Sequence, residues 1–365
     1  MTETTMTPRD AVADAIAEIG PLDRAAMEEA ARRLDRLTKP PGSLGRLETI
    51  AIGVAGIRGE PVTSIVHPAV AVFAGDHGVT AQGVSPYPSE VTRQMVANFA
   101  AGGAAINVLS RAAGADLVVV DVGVAGDPIA VWPAEGGGRF LDLRVAAGTR
   151  DFATEPALTP DEVAAAIGAG LAVAQQLCAE GCDLLAVGEM GIGNTTSASA
   201  IVAALTGRPA LEVTGRGTGL DDAGVRHKAA IVDAALAARA PDPDRPFDVL
   251  AAVGGLEIAA LVGAIIGAAA NRIPVVLDGF ITGAAALVAA RVSGDLPARL
   301  IASHRSSEPG HRIVLEALGL DPILDLGLRL GEGSGAALAI PVIRSALLLL
   351  GEMATFEDAG VSDRD

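Results

Sequence analysis

Short apolar runs alternate along most of this chain with longer, alanine-rich stretches of helical periodicity. The runs are continuously apolar, which is typical of parallel strands covered on both faces. The strands we predict are Ala69–Ala74, Asp116–Val122, Asp183–Val187, Asp248–Val253, Pro274–Leu277 and Leu300–Ser303. The alternation predicts an α/β fold in which a doubly wound, mostly parallel sheet has helices on both faces.

The two ends of the chain lie outside this alternation. Their helical patterns are Pro8–Ile19, Asp23–Leu37 and Ile340–Thr355. A Pro-Pro-Gly sequence after the second pattern marks its end, since proline and glycine interrupt helices. We expect residues 1–60 and 340–365 to form a smaller helical subdomain beside a large α/β domain of residues 61–339.

One segment, Ala251–Ala270, has nearly the length and apolar character of a membrane span. It contains Glu257, and its many Ala and Gly residues gain less from leaving water than Leu or Ile do. We therefore predict that it divides into the end of a strand, a Gly254-Gly255 turn and a buried helix. The sequence Gly263-Ala-Ile-Ile-Gly267 is expected to permit close packing of that helix against another.

Composition and charge narrow the class of protein. The chain has 365 residues, half of them apolar, and a formal net charge of −17. So negative a charge argues against nucleic acid or an anionic membrane surface as a partner. The N-terminus lacks the apolar core of a signal peptide, so we expect a cytoplasmic protein that acts on small molecules.

Polar and glycine-rich segments follow the predicted strands. They are Gly75–Gly78, Gly188–Thr196, Gly254–Glu257, Asp278–Phe280 and Ser303–Glu308. In a doubly wound sheet, ligands bind beyond the carboxyl ends of the strands. These segments therefore predict one pocket at that edge of the sheet.

The segment Gly188–Thr196 is the most informative of them. A glycine-rich turn between a strand and a helix lets backbone N–H groups and the helix N-terminus approach a phosphate. The turn lacks the third glycine of a dinucleotide fingerprint and the lysine of a P-loop, so a nicotinamide dinucleotide is weakly indicated. It also carries the carboxylate of Glu189. The alternative is that the glycines serve only a tight turn.

Two further residues stand out by their type and setting. Lysine occurs only at Lys39 and Lys228, and Lys228 closely follows the glycine-rich segment Gly215–Asp222, so it is a candidate phosphate ligand. The alternative is a surface lysine near a helix start. Glu332 is flanked by glycines, and partial burial would give it the raised proton affinity of a general base. The alternative is a carboxylate stabilised by a helix N-terminus.

The histidines do not form a metal site by their spacing. His304 and His311 are seven residues apart, whereas two zinc ligands on one helix face are four apart. Ser303, His304 and Glu308 could suggest a hydrolase, but the GxSxG nucleophile elbow is absent. We predict hydrogen-bonding histidines and no metal.

Taken together, eight segments resemble one family, the nicotinate-nucleotide–dimethylbenzimidazole phosphoribosyltransferases of the cobalamin nucleotide-loop pathway. Individually several are weak, but they run in order across nearly the whole chain. They are Lys39–Glu48, Ala74–Val79, Glu90–Met95, Gly188–Thr196, Gly215–Asp222, Asp278–Phe280, Ser303–His311 and Gly331–Gly335.

The resemblance implies a reaction and a partner. A benzimidazole nitrogen attacks the anomeric carbon of nicotinate mononucleotide, displaces nicotinate and gives α-ribazole 5′-phosphate with inversion. The reacting centre has oxocarbenium character, so no cofactor or metal is expected. The family also implies a homodimer.

The resemblance also assigns roles to residues. Glu332 is expected to be the general base, and Glu189 a second carboxylate of the same pocket. The expected phosphate and ribose contacts are Gly191, Gly193, Asn194, Lys228 and Asp278. The expected contacts of the base are Tyr87, Gln94, Met190 and Leu330, with the single tyrosine suited to stacking on a flat ring.

Two other classes of function stay open at this point. A Rossmann-type, nucleotide-dependent oxidoreductase would bind a nicotinamide dinucleotide. A non-catalytic nucleotide-binding module would keep its ligand binding when Glu332 is replaced and would have no turnover to lose.

Overall fold

Parallel strands form a single sheet at the centre of the computed structural model, which describes residues 7–129, 132 and 137–362. In chain order they are β1 (Pro68–Gly75), β2 (Asp116–Gly123), β3 (Arg139–Asp142), β4 (Leu184–Met190), β5 (Val275–Leu277) and β6 (Leu300–Ala302). Their order across the sheet is β3-β2-β1-β4-β5-β6. The chain winds outward in both directions from the β1–β4 pair, the place where such sheets bind ligands.

The helices of the described residues cover both faces of this sheet. They are α1 (Pro8–Ala17), α2 (Arg24–Arg36), α3 (Arg46–Arg58), α4 (Glu90–Ala100), α5 (Ala105–Ala113), α6 (Pro160–Ala179), α7 (Asn194–Thr206), α8 (Ala210–Val213), α9 (Asp222–Arg239), α10 (Pro246–Val253), α11 (Leu256–Ala270), α12 (Phe280–Val292), α13 (Pro309–Leu318), α14 (Ser334–Glu352) and α15 (Phe356–Ala359). The doubly wound α/β fold is therefore confirmed.

The side chains of β1 show why the strands carry continuous apolar runs. Ala71 and Phe73 lie in a core with α6, α7, α11 and α12, whereas Val70 and Val72 lie in a second core with α3, α5 and α14. Successive residues of a strand point to opposite faces. Because both faces of β1 are buried under helices, every position has to be apolar.

Most of the predicted strands are confirmed, but Asp248–Val253 is wrong, because these residues belong to α10. The buried residues of α10 recur with helical spacing, and Pro246 occupies a first-turn position that proline favours. A short apolar run does not by itself distinguish a strand from a helix. Strand β3 was missed because it lies at the sheet edge and has the mixed sequence Arg-Phe-Leu-Asp, with no buried residue.

The terminal helices pack in two different places. Helix α1 lies on α6 and α11, and its Val12 and Ala15 belong to the larger core. Helices α2 and α3 pack against each other and against α14. The predicted helices are thus present, while the subdomain boundaries stay a prediction. Residues 1–6 and 363–365 of that prediction lie outside the described part of the chain.

Two described helices, α6 and α14, are long and apolar enough to cross a membrane by length and composition alone. About half of each is buried inside the molecule, which is also how core helices of soluble proteins behave. The segment discussed above contributes α11, whose residues Leu256–Ala269 are all buried in the protein.

Helices α6 and α11 approach each other through glycines. A Cβ atom on Gly263 would lie 1.9 Å from the carbonyl oxygen of Ile167, and one on Gly170 would lie 1.7 Å from that of Ala260. Both distances are far below van der Waals contact. The predicted role of Gly263 in close helix packing is confirmed.

We expect Gly263→Ala to destabilise the protein, since the added methyl group forces α6 and α11 apart. Overpacking of this kind lowers the free energy of unfolding by about 1–3 kcal/mol, measured by chemical denaturation. The matched control is Gly53→Ala in α3, where no atom lies within 4 Å of the added Cβ. There we expect a gain of about 0.4–1 kcal/mol from lower chain entropy. Equal effects of the two substitutions would contradict this account.

Candidate active site

A cleft of about 420 Å³ opens beyond the carboxyl ends of β1, β4, β5 and β6. It lies at the edge where the polar segments were predicted to meet. Its walls come from residues 84–95, 189–195, 217–218, 279–281, 304–308 and 329–332. The cleft therefore joins segments that are far apart in sequence into one site.

The glycine-rich turn after β4 lies in this cleft. Gly193 has a φ of +93°, and α7 begins at the next residue, Asn194. A Cβ on Gly191 would lie 2.3 Å from the carbonyl oxygen of Gly75, and one on Gly193 would lie 2.8 Å from Cγ2 of Thr80. The glycines thus let the turn pack closely against the loop that follows β1. This arrangement presents the N-terminus of α7 to the cleft.

A buried lysine stands behind the turn. Lys228 on α9 is fully buried, and its Nζ donates a hydrogen bond to Oγ1 of Thr195 at 2.6 Å. Burial lowers the pKa of Lys228 to about 8, while the carboxylate of Glu308 opposes that shift. The alternative of a surface lysine is therefore wrong. Thr195 lines the cleft and Lys228 does not. The ammonium group therefore contacts the cleft only through its hydrogen bond to the Thr195 hydroxyl.

Glu189 lies on β4 at the floor of the cleft. It is buried, and its Oε2 accepts a hydrogen bond from Nδ2 of Asn194. Burial raises the pKa of Glu189 well above its ordinary value, and the nearby charges of Asp278 and Glu257 act in the same direction. Both effects favour the protonated form of Glu189. The amide nitrogen of Asn194 is engaged with this carboxyl group.

Glu332 lies in a strained turn directly above β4. Its φ is +63°, between Gly331 at +87° and Gly333 at +83°. The N–H of Glu332 donates to the carbonyl oxygen of Glu189 at 3.2 Å. A Cβ on Gly188 would lie 2.3 Å from the backbone nitrogen of Gly333, so the turn rests on bare backbone. This contact brings Glu332 to the wall of the cleft.

The carboxyl group of Glu332 is buried without a full set of partners. Burial raises its pKa, with the backbone N–H of Ile106 opposing the shift. Within the part of the chain that the structure describes, its Oε2 has no hydrogen-bond partner and is not exposed to solvent. A carboxylate that lacks stabilising donors has a high proton affinity, as a general base requires.

Asp278 follows β5 and anchors the turn that carries Glu332. Its Oδ1 accepts hydrogen bonds from the N–H groups of Gly335 at 2.7 Å and Ala336 at 3.2 Å, and its Oδ2 accepts from Gly333 at 3.1 Å. Burial nevertheless raises the pKa of Asp278 to about 7. Both oxygens are occupied and the side chain does not line the cleft. This geometry does not support the predicted contact with phosphate or ribose.

The residues predicted to contact the base divide into two groups. Tyr87, Met190 and Leu330 line the cleft, and Tyr87 and Leu330 are half-exposed at its mouth. Gln94 is exposed on α4 and lies outside the lining. In its place, Val91 and Met95 of the same helix line the cleft. The wall from α4 is therefore apolar in this structure.

Sequence reasoning assigned no substrate contact to several lining residues, although the quoted segments contain most of them. They are Thr195, Gly217, Thr218, His304, Ser306, Glu308 and Arg329. The position of Thr195 in the glycine-rich segment was a usable signal. Glu308 was not recognisable, because its hydrogen bond from the N–H of Gly217 joins parts of the chain far apart in sequence. Within the described residues, no group of three or more His, Cys, Asp or Glu side chains is arranged to hold a metal ion.

The strand order of this sheet is shared with dinucleotide-binding proteins, so fold alone does not decide the function. The loop after β1 is Gly75-Asp76-His77-Gly78 and lacks the glycine fingerprint of those proteins. The family is therefore identified by similarity to known proteins.

A phosphoribosyltransferase family model matches residues 19–361. Relatives named nicotinate-nucleotide–dimethylbenzimidazole phosphoribosyltransferase include those of Chloroflexus aurantiacus, 54% identical over 97% of this chain and 99% of theirs, and Desulforudis audaxviator, 52% identical over 97% and 98%. A crystal structure of CobT from Thermus thermophilus superimposes with a TM-score of 0.88 at 48% identity, covering 93% of this chain and all of that one. The oxidoreductase alternative is not favoured, and the chain belongs to the nicotinate-nucleotide–dimethylbenzimidazole phosphoribosyltransferase family.

Proposed function

We propose that this protein transfers the phosphoribosyl group of nicotinate mononucleotide to 5,6-dimethylbenzimidazole or a related base. The observation that carries the proposal is the buried, unpartnered carboxyl oxygen of Glu332 at the wall of a cleft that also holds the glycine-rich turn Gly191–Gly193. A proton acceptor and a phosphate-binding turn in one cleft match the two needs of this reaction. The names of the relatives support the choice of substrates.

In the proposed reaction, a ring nitrogen of the base attacks the anomeric carbon and forms the new C–N bond. The bond between that carbon and the nicotinate nitrogen breaks, and its electron pair stays on nicotinate. The other ring nitrogen of the base gives its N–H proton to Glu332. Attack from the face opposite the leaving group converts the β-nucleotide into α-ribazole 5′-phosphate.

The phosphate is proposed to bind at the backbone of Gly191 and Gly193 and the N-terminus of α7. Lys228 supports this site through its hydrogen bond to Thr195, which places a buried positive charge behind the turn. Local donors of this kind are needed, because the net charge of the protein is −17. The helix N-terminus and the ammonium group act in the same direction on an anion.

Glu189 and Asn194 are proposed to support the ribose. The raised pKa of Glu189 favours its protonated form, which can donate a hydrogen bond to a sugar oxygen. Glu332, whose Oε2 has no hydrogen-bond partner among the described residues, is the proposed proton acceptor. The amide of Asn194 holds Glu189 in place and contributes to the same wall.

The base is proposed to bind between the apolar side chains at the mouth, which include Tyr87, Met190 and Leu330. A flat ring stacks well on a tyrosine face, and the half-exposed side chains would lose contact with water. For Gln94 the role predicted from the sequence requires α4 to move or the side chain to reorient. An apolar pocket distinguishes weakly between rings that differ by methyl groups, so related bases are expected to react too.

The decisive experiment incubates the protein with both substrates and measures free nicotinate and α-ribazole 5′-phosphate by chromatography. We expect Glu332→Gln to lower kcat by about 10²–10⁴-fold, the usual contribution of a general base. The control is Glu316→Gln, an exposed glutamate on α13, which should retain full activity. A wild-type protein without product would refute the proposed reaction. Full turnover by Glu332→Gln would refute only the assignment of Glu332 as the general base.

The raised pKa of Glu332 predicts how kcat and thermal stability change with pH. Glu332 acts in its ionised form, and its pKa is raised, so kcat should fall as the pH decreases through a value above the ~4.3 of an ordinary glutamate. A raised carboxyl pKa stabilises the fold at low pH, and this contribution is lost as the pH rises through the folded pKa. Glu332→Gln should therefore unfold at a higher temperature than the wild type above that pH, and the difference should disappear in acid.

Asp278→Asn tests whether this aspartate positions Glu332, the proposed general base. An asparagine has one acceptor oxygen, and its NH₂ group would face an N–H of the turn, so Glu332 should be displaced. Displacement by about 1 Å lowers kcat by roughly a hundredfold. The KM for nicotinate mononucleotide should change little, because Asp278 does not line the cleft. An unchanged kcat, measured on folded protein, would show that the hydrogen bonds of Asp278 are dispensable.

A cytoplasmic homodimer is part of the proposal. The resemblance to the family supports the dimer, and several apolar side chains are exposed on the single chain, among them Val62, Val66 and Leu348. Light scattering should give twice the mass of the 365-residue chain. A monomeric mass at micromolar concentration would contradict the dimer without affecting the proposed chemistry.

A further inference from the structure

A buried histidine lies directly beneath the proposed phosphate-binding turn. His77 follows β1, and its Nε2 is 2.6 Å from Oε1 of Glu257, near the start of α11. Its Nδ1 is 3.0 Å from Oγ of Ser197, in the first turn of α7. The side chains of His77 and Glu257 are fully buried. One imidazole thus links the end of a strand to the first turns of two helices.

The ring occupies space that three glycines leave free. A Cβ on Gly255 would lie 2.4 Å from Cε1 of His77. One on Gly191 would lie 3.4 Å from Cδ2 and from Nε2 of the ring, and one on Gly193 would lie 3.3 Å from Cβ of His77. Gly191 and Gly193 are the glycines of the turn itself. His77 therefore forms part of the surface on which the turn rests.

Hydrogen bonds at both ring nitrogens fix the orientation of the imidazole. A ring held in this way cannot rotate without leaving a buried polar group unpaired, which is unfavourable in a buried site. The side chain of His77 is consequently a rigid support rather than an adaptable one.

We infer that His77, held by Glu257 and Ser197, positions the Gly191–Gly193 turn for binding the phosphate of the donor substrate. His77, Ser197 and Glu257 do not line the cleft, so they act through the turn and are positioning residues. The inference rests on the proposed function of this turn. It predicts an effect on the phosphorylated donor and little on the benzimidazole base, whose proposed contacts include Tyr87 and Leu330 outside the turn.

The test compares His77→Leu, His77→Gln, Glu257→Gln and Ser197→Ala in steady-state kinetics. Inorganic phosphate serves as a competitive probe of the turn. For His77→Leu we expect the KM of nicotinate mononucleotide and the Ki of phosphate to rise together, by about tenfold to a hundredfold. The KM of the base and the kcat at saturating donor should stay within about twofold, the range of substitutions without a specific role.

His77→Gln and Ser197→Ala should raise the KM of nicotinate mononucleotide and the Ki of phosphate less than His77→Leu does. His77→Gln retains an amide that can donate to Glu257, so it should recover part of the loss seen with leucine. Ser197→Ala removes one hydrogen bond and no volume from the ring site, so it should fold and raise both constants by a few-fold. If His77→Leu fails to fold, Ser197→Ala and Glu257→Gln decide the question alone.

Two control variants separate the possible failures. Asp183→Asn alters a buried carboxylate at the amino end of β4, where it accepts hydrogen bonds from the N–H groups of Val66 and His67. It should leave both KM values, the Ki of phosphate and kcat unchanged. Lys228→Met should raise the Ki of phosphate, since the ammonium supports the turn. If Lys228→Met has no effect, the proposed phosphate site is wrong and the inference falls with it. If Lys228→Met raises the Ki but the His77, Glu257 and Ser197 variants do not, only the inference is overturned.

Discussion

The site depends on one carboxylate. Asp278, at the end of β5, accepts hydrogen bonds from three N–H groups of residues 333–336 and so fixes where α14 begins. The preceding turn can then lie against β4 only because Gly188 has no side chain at the contact with Gly333. Glu332 reaches the cleft as the consequence of these two constraints. The sheet holds β4 and β5 side by side, and the hydrogen bonds of Asp278 fix the turn before α14 relative to them.

A protein with a net charge of −17 repels a phosphate, and burial of the carboxyl groups near the cleft reduces this repulsion. Glu189, Asp278 and Glu332 lie together near the cleft, and burial raises the pKa of each of them. A raised pKa favours the uncharged form of each carboxyl group, which lowers the negative charge at the site relative to three ordinary carboxylates. Lys228, with a pKa of about 8, still adds a positive charge behind the turn. The local field is thus more favourable to an anion than the net charge suggests.

The sequence predicted those features that are governed by local pattern. The apolar runs gave five strands correctly because central parallel strands are buried on both faces. Of the five polar segments predicted to form the pocket, Gly188–Thr196, Asp278–Phe280 and Ser303–Glu308 contribute to the lining of the cleft, whereas Gly75–Gly78 and Gly254–Glu257 do not. The pattern failed at α10, whose short apolar run fits a strand as well as a helix, and at the half-exposed edge strand β3. The roles of Asp278 and Gln94 in binding stay predictions, and neither side chain lines the cleft in this structure. Whether a polar side chain faces a ligand or a backbone depends on contacts between distant segments.

The position of Glu332 bears on the alternative that the sequence left open, a carboxylate stabilised by a helix N-terminus. A carboxylate within the first turn of a helix is stabilised by the macrodipole and becomes a weaker base. In this structure Asp278 accepts the N–H groups at the start of α14, while Glu332 stands two residues before that helix at a φ of +63°. Holding a non-glycine residue in this region costs about 1–2 kcal/mol, which the hydrogen bonds of Asp278 offset. The strain therefore belongs to a turn that places Glu332 at the wall of the cleft and outside the first turn of α14.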